Sequence, residues 1–295
     1  ETDVEGRYLS KALASVRNQV YENWELIAID DGSDQRHVRS LLMSSARQDE
    51  RIKVRLRDKN EGIPKTLNQA FAEAKGDVVV IMDHDDTLEP NALYEIVRHL
   101  NEKDWDLIYS DEALVDKEDQ VFYIHFRPDF SPDFLLSHQY FVHLVALRRS
   151  LLKEIGGSDE TFPNVAWDYD LWLRVAARTT KIGHIPKVLY RWRRYETSAS
   201  HVEKEKVMKQ SKIALEKAMK LMNIQGTVED GLWFNYFRVR RKLKSGRLSI
   251  IIPTRRAHLL DRCIGSIESK TNHKNYEIII VANNVDNDDS KSRLE

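Results

Sequence analysis

The sequence predicts an α/β fold, a mostly parallel sheet with helices on both faces. Three observations carry that expectation. Val78-Val79-Val80-Ile81-Met82 is an apolar, β-branched run that stops at Asp83, Asp85 and Asp86. Trp24-Glu25-Leu26-Ile27-Ala28-Ile29 is a second such run, and it stops at Asp30-Asp31-Gly32-Ser33. Runs of this kind, bounded by turn residues, read as buried strands of a parallel sheet. Between them Ile63, Leu67, Ala70, Phe71 and Ala74 recur at helical spacing, with Pro64 suited to a first turn.

In chain order, a helix is expected near 8–19, a strand near 24–30, a helix near 35–47 and a strand near 52–57. The helix near 64–75 and the strand near 78–83 follow. A helix near 90–101 starts at Pro90 and places Leu93, Ile96, Val97 and Leu100 at i, i+3, i+4 and i+7. A strand near 106–110 precedes helices near 148–155 and 169–178, the last opened by Asp168 and Asp170 in Trp167-Asp168-Tyr169-Asp170-Leu171. Farther on, Val207, Ala214, Ala218 and Leu221 form one helical stripe, with Met208, Leu215, Met219 and Met222 beside it as adaptable core filler. Gly226-Thr227 ends that helix, and 234–243 reads as an extended, basic connector up to Lys244-Ser245-Gly246.

Two acidic strand ends point to chemistry. Open α/β sheets bind ligands at the carboxyl ends of their strands. Packed carboxylates repel one another and need a countercharge. A divalent cation with a bound diphosphate supplies it, because Mg²⁺-like ions take a few carboxylates plus phosphate oxygens. The plainer reading of a lone acidic pair is a solvated turn; the second acidic strand end argues against it here.

Composition narrows the field. The chain has 295 residues, enough for one large domain or two, and a formal net charge of −1, so no broad positive field recruits nucleic acid. The single cysteine, Cys263, excludes an internal disulfide framework and fits a reducing compartment. No apolar run approaches the ~18 residues of a membrane span. No signal peptide is read at the start, and since the first residue is Glu1 rather than Met, the natural N-terminus is expected elsewhere.

The motifs resemble, in order, those of the family 2 inverting glycosyltransferases, which have a GT-A nucleotide-sugar-binding fold. The matching pieces are Tyr8-Leu9 through Ser15-Val16, 24–33, 60–68, 83–86, 168–174, and His184-Ile185-Pro186 through Tyr190-Arg191-Trp192-Arg193. The resemblance covers roughly residues 1–200. Arg127-Pro128-Asp129-Phe130-Ser131-Pro132-Asp133 looks like a subgroup found in large bacterial enzymes that build O-antigen and other surface polysaccharides. The resemblance implies metal-dependent transfer, with inversion, of a hexosyl or deoxyhexosyl group. The donor would be a nucleoside-diphosphate sugar and the acceptor a saccharide or lipid-linked glycan. The expected setting is cytoplasmic, with peripheral association at the inner membrane face.

The same resemblance implies roles. Asp31, rather than Asp30, would accept a hydrogen bond from the nucleobase; the alternative is an Asx-turn residue stabilising Gly32-Ser33. Asp85 and Asp86 would be the metal-binding and ribose-diphosphate pair, Asp86 as the more direct ligand of Mg²⁺ or Mn²⁺ and Asp85 holding the ribose or a metal-bound water, and Asp83 would assist or orient them. Asp168 would be the general base, with Asp170 as competitor unless it caps the helix or stabilises its first turn. Lys65, Arg191 and Arg193 are candidate diphosphate contacts, since Arg reads phosphate oxygens in bidentate fashion; otherwise each is an ordinary surface cation. Arg191 stands where many relatives have His, and Tyr195 where a metal-binding His is sometimes found, so no third protein ligand is expected from that loop. His84 lies between the carboxylates, but an extended segment would turn its side chain to the other face, so it is not expected to be a ligand. His138 and His143 flank Tyr140, either lining the acceptor side or simply packed.

The tail repeats the opening. Leu9, Leu13, Ser15 and Val16 match Leu260, Ile264, Ser266 and Ile267, and Trp24-Glu25-Leu26-Ile27 matches Tyr276-Glu277-Ile278-Ile279. Asp31 then falls opposite Asn283, and Asn283-Asn284 replaces the first copy's acidic pair. The second copy also has an earlier strand, Leu248-Ser249-Ile250-Ile251-Ile252-Pro253-Thr254, whose first-copy counterpart would precede residue 1. The expected organisation is a GT-A domain lacking its first strand (1–200), a helix and connector (201–246) and the truncated start of a second GT-A domain (247–295). Three rival functions stand beside this one. A processive synthase is disfavoured because Val188 occupies its Gln position and no spans exist. A metal-dependent nucleotidyltransferase would release free diphosphate. A catalytically inactive sugar-nucleotide or glycan-binding module is disfavoured by the intact Asp31, Asp85, Asp86 and Asp168.

Overall fold

A computed structural model describes residues 6–194, 203–242 and 246–283. The chain divides into two compact units, Glu1–Arg241 and Lys242–Glu295. Asn284 and Tyr195 lie outside the described residues.

The first unit opens with α1 (Arg7–Arg17), β1 (Leu26–Asp30), α2 (Arg36–Gln48) and β2 (Ile52–Leu56). β1 and β2 pair in parallel, Leu26 opposite Ile52 and Asp30 opposite Leu56, with α2 as the crossover. Leu9 and Leu13 of α1 and Leu42 of α2 form a small core against Leu26, Ala28 and Val54. Then come α3 (Ile63–Glu73), β3 (Val78–Ile81), β4 (Thr87–Leu88), α4 (Ala92–Glu102), β5 (Leu107–Val115), β6 (Val121–His125), α5 (Pro132–Leu135), β7 (Val145–Arg148), α6 (Arg149–Glu154), α7 (Trp167–Arg178) and β8 (Ile182–Arg193). These strands make a six-stranded sheet in the order β3-β7-β5-β8-β4, with β6 paired to β5.

The sheet is mixed rather than mostly parallel. β5 and β8 run in parallel, but β7 lies antiparallel to both β3 and β5. The reason is where β7 begins. β3 ends at the acidic turn and β7 starts beside that turn, so their directions oppose. The run that forms β7 is only Val145-Ala146-Leu147 before two arginines, too short to stand out by pattern. All nine residues of β5 are buried, as a central strand covered on both faces should be.

α8 (Lys204–Leu221), which the pattern assigns to a connecting segment, packs into this unit's main core. Its Ala214, Leu215, Ala218 and Met219 join Trp172, Leu171 and Phe141 there. The basic segment after it is the return strand of a hairpin, β9 (Gly226–Asp230) against β10 (Phe237–Arg241). The hairpin is tied down where Phe237 N donates to Ser137 O at 2.7 Å and where the His138 and Tyr236 rings stack at 4.0 Å.

Among the described residues β1 pairs only with β2, and β3 only with β7. A cavity of about 550 Å³ lies along β1. Leu9, Leu13, Leu26 and Ala28 line it, and so do Asp30 and Asp31 after β1 and Met82, Asp83 and His84 after β3.

In the second unit β11 (Leu248–Thr254) and β12 (Tyr276–Ala282) pair in parallel around α9 (Leu260–Lys270). Ile251 is 64% exposed and Leu260 is the one buried apolar side chain among its described residues, so little core forms there.

Candidate active site

The site is built on the turn after β3. Asp86 is buried and clamped: Tyr190 Oη donates to Oδ2 and Arg193 N to Oδ1, both at 2.7 Å. Tyr190 Oη also accepts from Asp83 N at 3.1 Å. The turn is thereby held against β8. Burial, then repulsion from Asp83 and Asp85, pushes the Asp86 carboxyl well above its ordinary value. Asp83 is half exposed and faces the His143 ring, with Oδ2 3.7 Å from Nε2. That ring lies flat on Tyr190 at 4.7 Å, with Trp192 at its edge.

Asp83, Asp86 and His143 each offer a ligand atom within 4.8 Å of the others, so the donor set fits a divalent cation. Asp85, expected as a ligand, is not in this set. Its backbone carbonyl accepts from Arg193 Nε at 3.0 Å, and its carboxylate lies 3.9 Å from His84 Nδ1. His143 was expected to line the acceptor side or simply to pack, and nothing in the local sequence pointed to the acidic turn. Its partner Asp83 becomes legible only once β3 and β7 are paired.

Asp31 stands at the end of β1. Its carboxylate accepts from Glu61 N at 3.0 Å, Gly62 N at 2.9 Å and Arg57 Nη1 at 2.9 Å. Burial raises the group, but these hydrogen bonds outweigh it and leave Asp31 below its ordinary value. The turn is tight: Gly32 has φ +81°, and a Cβ there would meet Asn60 N at 2.7 Å. Asp31 and Asp83 line the same cavity.

The three candidate phosphate cations are deployed differently from the expectation. Lys65, in the first turn of α3, pairs with Glu61, four residues earlier and just before the helix. Arg191 Nε donates to Glu89 at 2.6 Å. Arg193 is turned inward with a side chain 1% exposed. Its donors go to Asp85 O, to Asp116 O at 2.6 Å and to Asp119, and its guanidinium covers the Tyr8 ring at 4.3 Å. All of these Arg193 contacts are internal to the protein. A buried guanidinium must spend its donors on protein acceptors.

Asp168 lies in the first turn of α7. Gln139 Nε2 donates to Oδ2 at 2.7 Å and Tyr169 N to Oδ1 at 2.9 Å. Burial raises its carboxyl above the ordinary value against these bonds and the charge of His143. Asp170 points the other way. It is buried, and Arg174 Nε donates to it at 2.7 Å while the same guanidinium reaches Ile155 O and Gly157 O. Two carboxylates two residues apart on one helix therefore have different partners, Gln139 for Asp168 and Arg174 for Asp170.

The family model described as "Glycosyl transferase family 2" matches residues 4–156. The "O-antigen biosynthesis protein RfbC" of Myxococcus xanthus is 32% identical over 300 residues, 99% of this chain and 23% of that protein. The "Uncharacterized protein y4gI" of Sinorhizobium fredii is 34% identical over 283 residues, 93% of this chain and 31% of its own length. The chain thus spans under a third of each of these two relatives. Among solved structures, S. aureus TarS 1-349 in complex with UDP-GlcNAc aligns at TM-score 0.59 and 17% identity, covering 74% of this chain and 67% of that one. The acidic turns sit on a fold shared with TarS, and half the chain fits one family description: the chain belongs to glycosyl transferase family 2 and has the GT-A fold.

Proposed function

We propose that this glycosyltransferase moves a sugar, with inversion, from a nucleoside-diphosphate sugar to a saccharide hydroxyl in bacterial surface-polysaccharide biosynthesis. The observation that carries this reading is Asp168. It is a carboxylate that burial raises above its ordinary value, held by Gln139 and Tyr169 N at the start of α7. In inverting transfer the acceptor hydroxyl attacks the anomeric carbon opposite the leaving diphosphate. Asp168 takes the hydroxyl proton as that bond forms, and such a base contributes typically ~10²–10⁴-fold. Asp31, at the cavity wall, orients the donor's nucleobase end.

The acidic turn is read as the seat of Mg²⁺ or Mn²⁺, held through Asp83 and Asp86. When bound, the cation neutralises charge on the leaving diphosphate. Asp86 also holds the turn in place through Tyr190 and the Arg193 backbone. Arg191 and Lys65 remain diphosphate candidates if the donor displaces Glu89 and Glu61 from them. Residues 247–295 are read as belonging to a second, similar unit, because they repeat the helix-and-strand order of α1 and β1. No helix among the described residues is long and apolar enough to cross a membrane. A cytoplasmic enzyme meeting a saccharide or lipid-linked acceptor at the inner membrane face fits the proposed donor.

A panel of nucleotide sugars tests the reading, uridine donors first because the TarS neighbour carries UDP-GlcNAc. Thermal stabilisation and product release are scored with Mn²⁺ present. Nucleoside diphosphate is the expected product. Release of inorganic diphosphate instead would identify a nucleotidyltransferase.

A further inference from the structure

We infer that His143 is a direct nitrogen ligand of the cation at the acidic turn, making the site a mixed nitrogen–oxygen set selective for Mn²⁺ over Mg²⁺. The inference rests on the cation reading above and names a residue that reading does not use.

Strand pairing brings the parts together. β3 and β7 pair antiparallel with Val78 opposite Arg148 and Ile81 opposite Val145. Asp83 follows β3 by two residues and His143 precedes β7 by two, so the pairing brings both to the same end of the two strands. There Asp83 Oδ2 and His143 Nε2, far apart in sequence, lie 3.7 Å apart.

The ring is also held in orientation. It is stacked on Tyr190 at an interplanar angle of 12° and met edge-on by Trp192 at 67°. Its side chain is 12% exposed, and Nε2 faces the Asp83 carboxylate. Tyr190 orients two ligands at once, since its ring supports His143 and its hydroxyl donates to Asp86. Outer partners that fix ligand orientation in this way are a regular part of metal sites.

The distances suit one ion. Ligands about 2.1 Å from a common metal lie roughly 3–4.2 Å apart. The 3.7 Å between Nε2 and Asp83 Oδ2 falls inside that range and is longer than a hydrogen bond. The 4.8 Å limit for the whole set needs a closing shift of about half an ångström. Asp86 retains capacity, because a carboxylate offers about four acceptor positions and two are used here. Imidazole nitrogen is a poor partner for hard Mg²⁺, while Mn²⁺, the first and weakest of the first-row series whose later members favour imidazole, accepts nitrogen more readily than Mg²⁺ does, which sets the direction of the selectivity.

The test uses tag-free protein with Mn²⁺ alone and with Mn²⁺ plus UDP, read by pulsed EPR for coupling to an imidazole ¹⁴N and by equilibrium Mn²⁺ titration. Wild type is expected to show the nitrogen coupling. His143→Phe keeps an aromatic ring between Tyr190 and Trp192 but removes the nitrogen. It should lose the coupling and weaken Mn²⁺ binding at least about tenfold, with a smaller change for Mg²⁺. Mn²⁺ bound to wild type without nitrogen coupling overturns the inference and leaves the cation reading intact. Unchanged Mn²⁺ affinity in His143→Phe also overturns it. No Mn²⁺ binding in either condition overturns both. Absence of the coupling in wild type decides against the inference even if the variant fails to fold.

Discussion

Replacing Asp168 with Asn isolates the proton-transfer step. The side chain keeps its shape, and its carbonyl still accepts from Tyr169 N. Only Gln139 faces a new neighbour: its Nε2 now donates to Asp168 Oδ2 at 2.7 Å, and an Asn amide nitrogen there leaves two donors opposed. Rotation of the Gln139 amide presents its oxygen instead and restores the bond. The variant also removes a charge whose ionisation burial disfavours. The fold is therefore expected to be as stable as wild type. Transfer should fall by roughly 10²–10⁴-fold, which is about 2.7–5.4 kcal/mol of lost transition-state stabilisation. Steady-state release of nucleoside diphosphate gives kcat, and donor titration gives affinity, which should be near normal. The pH profile provides a second readout. Because the folded-state carboxyl is raised, wild-type activity should climb as pH rises through that elevated value, and the Asp168→Asn variant should lack this limb. Stability runs the other way: the contribution of a raised carboxyl is fullest below its unfolded value of about 3.9 and is lost as pH rises through the folded one. Retention of activity within about threefold, or a loss seen only in donor affinity, would refute Asp168 as the base.

Other substitutions separate scaffold from chemistry. Asp86→Ala leaves Tyr190 Oη and Arg193 N without their acceptor, at about 1–3 kcal/mol each, so a lowered Tm should accompany loss of cation binding. An unchanged Tm would show that the clamp contributes nothing. Asp170→Ala strands the half-buried Arg174 guanidinium. Thermal unfolding should show a loss of about 3 kcal/mol, while the folded fraction keeps its pH–rate limb. If that limb disappears instead, the base is Asp170. Arg193→Ala should lower Tm and leave donor affinity measured per folded molecule within about threefold, since the guanidinium contacts only protein acceptors. A selective loss of diphosphate affinity would return Arg193 to the phosphate site. Excess chelator should abolish transfer and Mn²⁺ should restore it; undiminished turnover in chelator contradicts a cation at the acidic turn.

Much of this protein was determined by local pattern. The runs 26–29 and 78–81 became strands and the stripe from Ile63 to Phe71 became a helix, because side-chain periodicity is a property of a few adjacent residues. The acidic strand ends and the Asp168 helix start were legible for the same reason, and so was the helical stripe of α8. Tertiary structure decided what each of these residues does. Asp83, Asp85 and Asp86 are alike in sequence. Tyr190 and the Arg193 backbone, more than a hundred residues away, turned Asp86 into a buried clamp and left Asp83 toward the ligand side. Asp168 and Asp170 differ because Gln139 meets one and Arg174 the other. Arg193 turned inward because Asp116, Asp119 and the Asp85 carbonyl converge on it once β8 lies beside β5. His143 acquired its carboxylate partner only through the antiparallel register of β3 and β7, a pairing between segments far apart in the chain. Burial, hydrogen-bond partners and register are set by such long-range contacts, and no pattern within a local stretch encodes them.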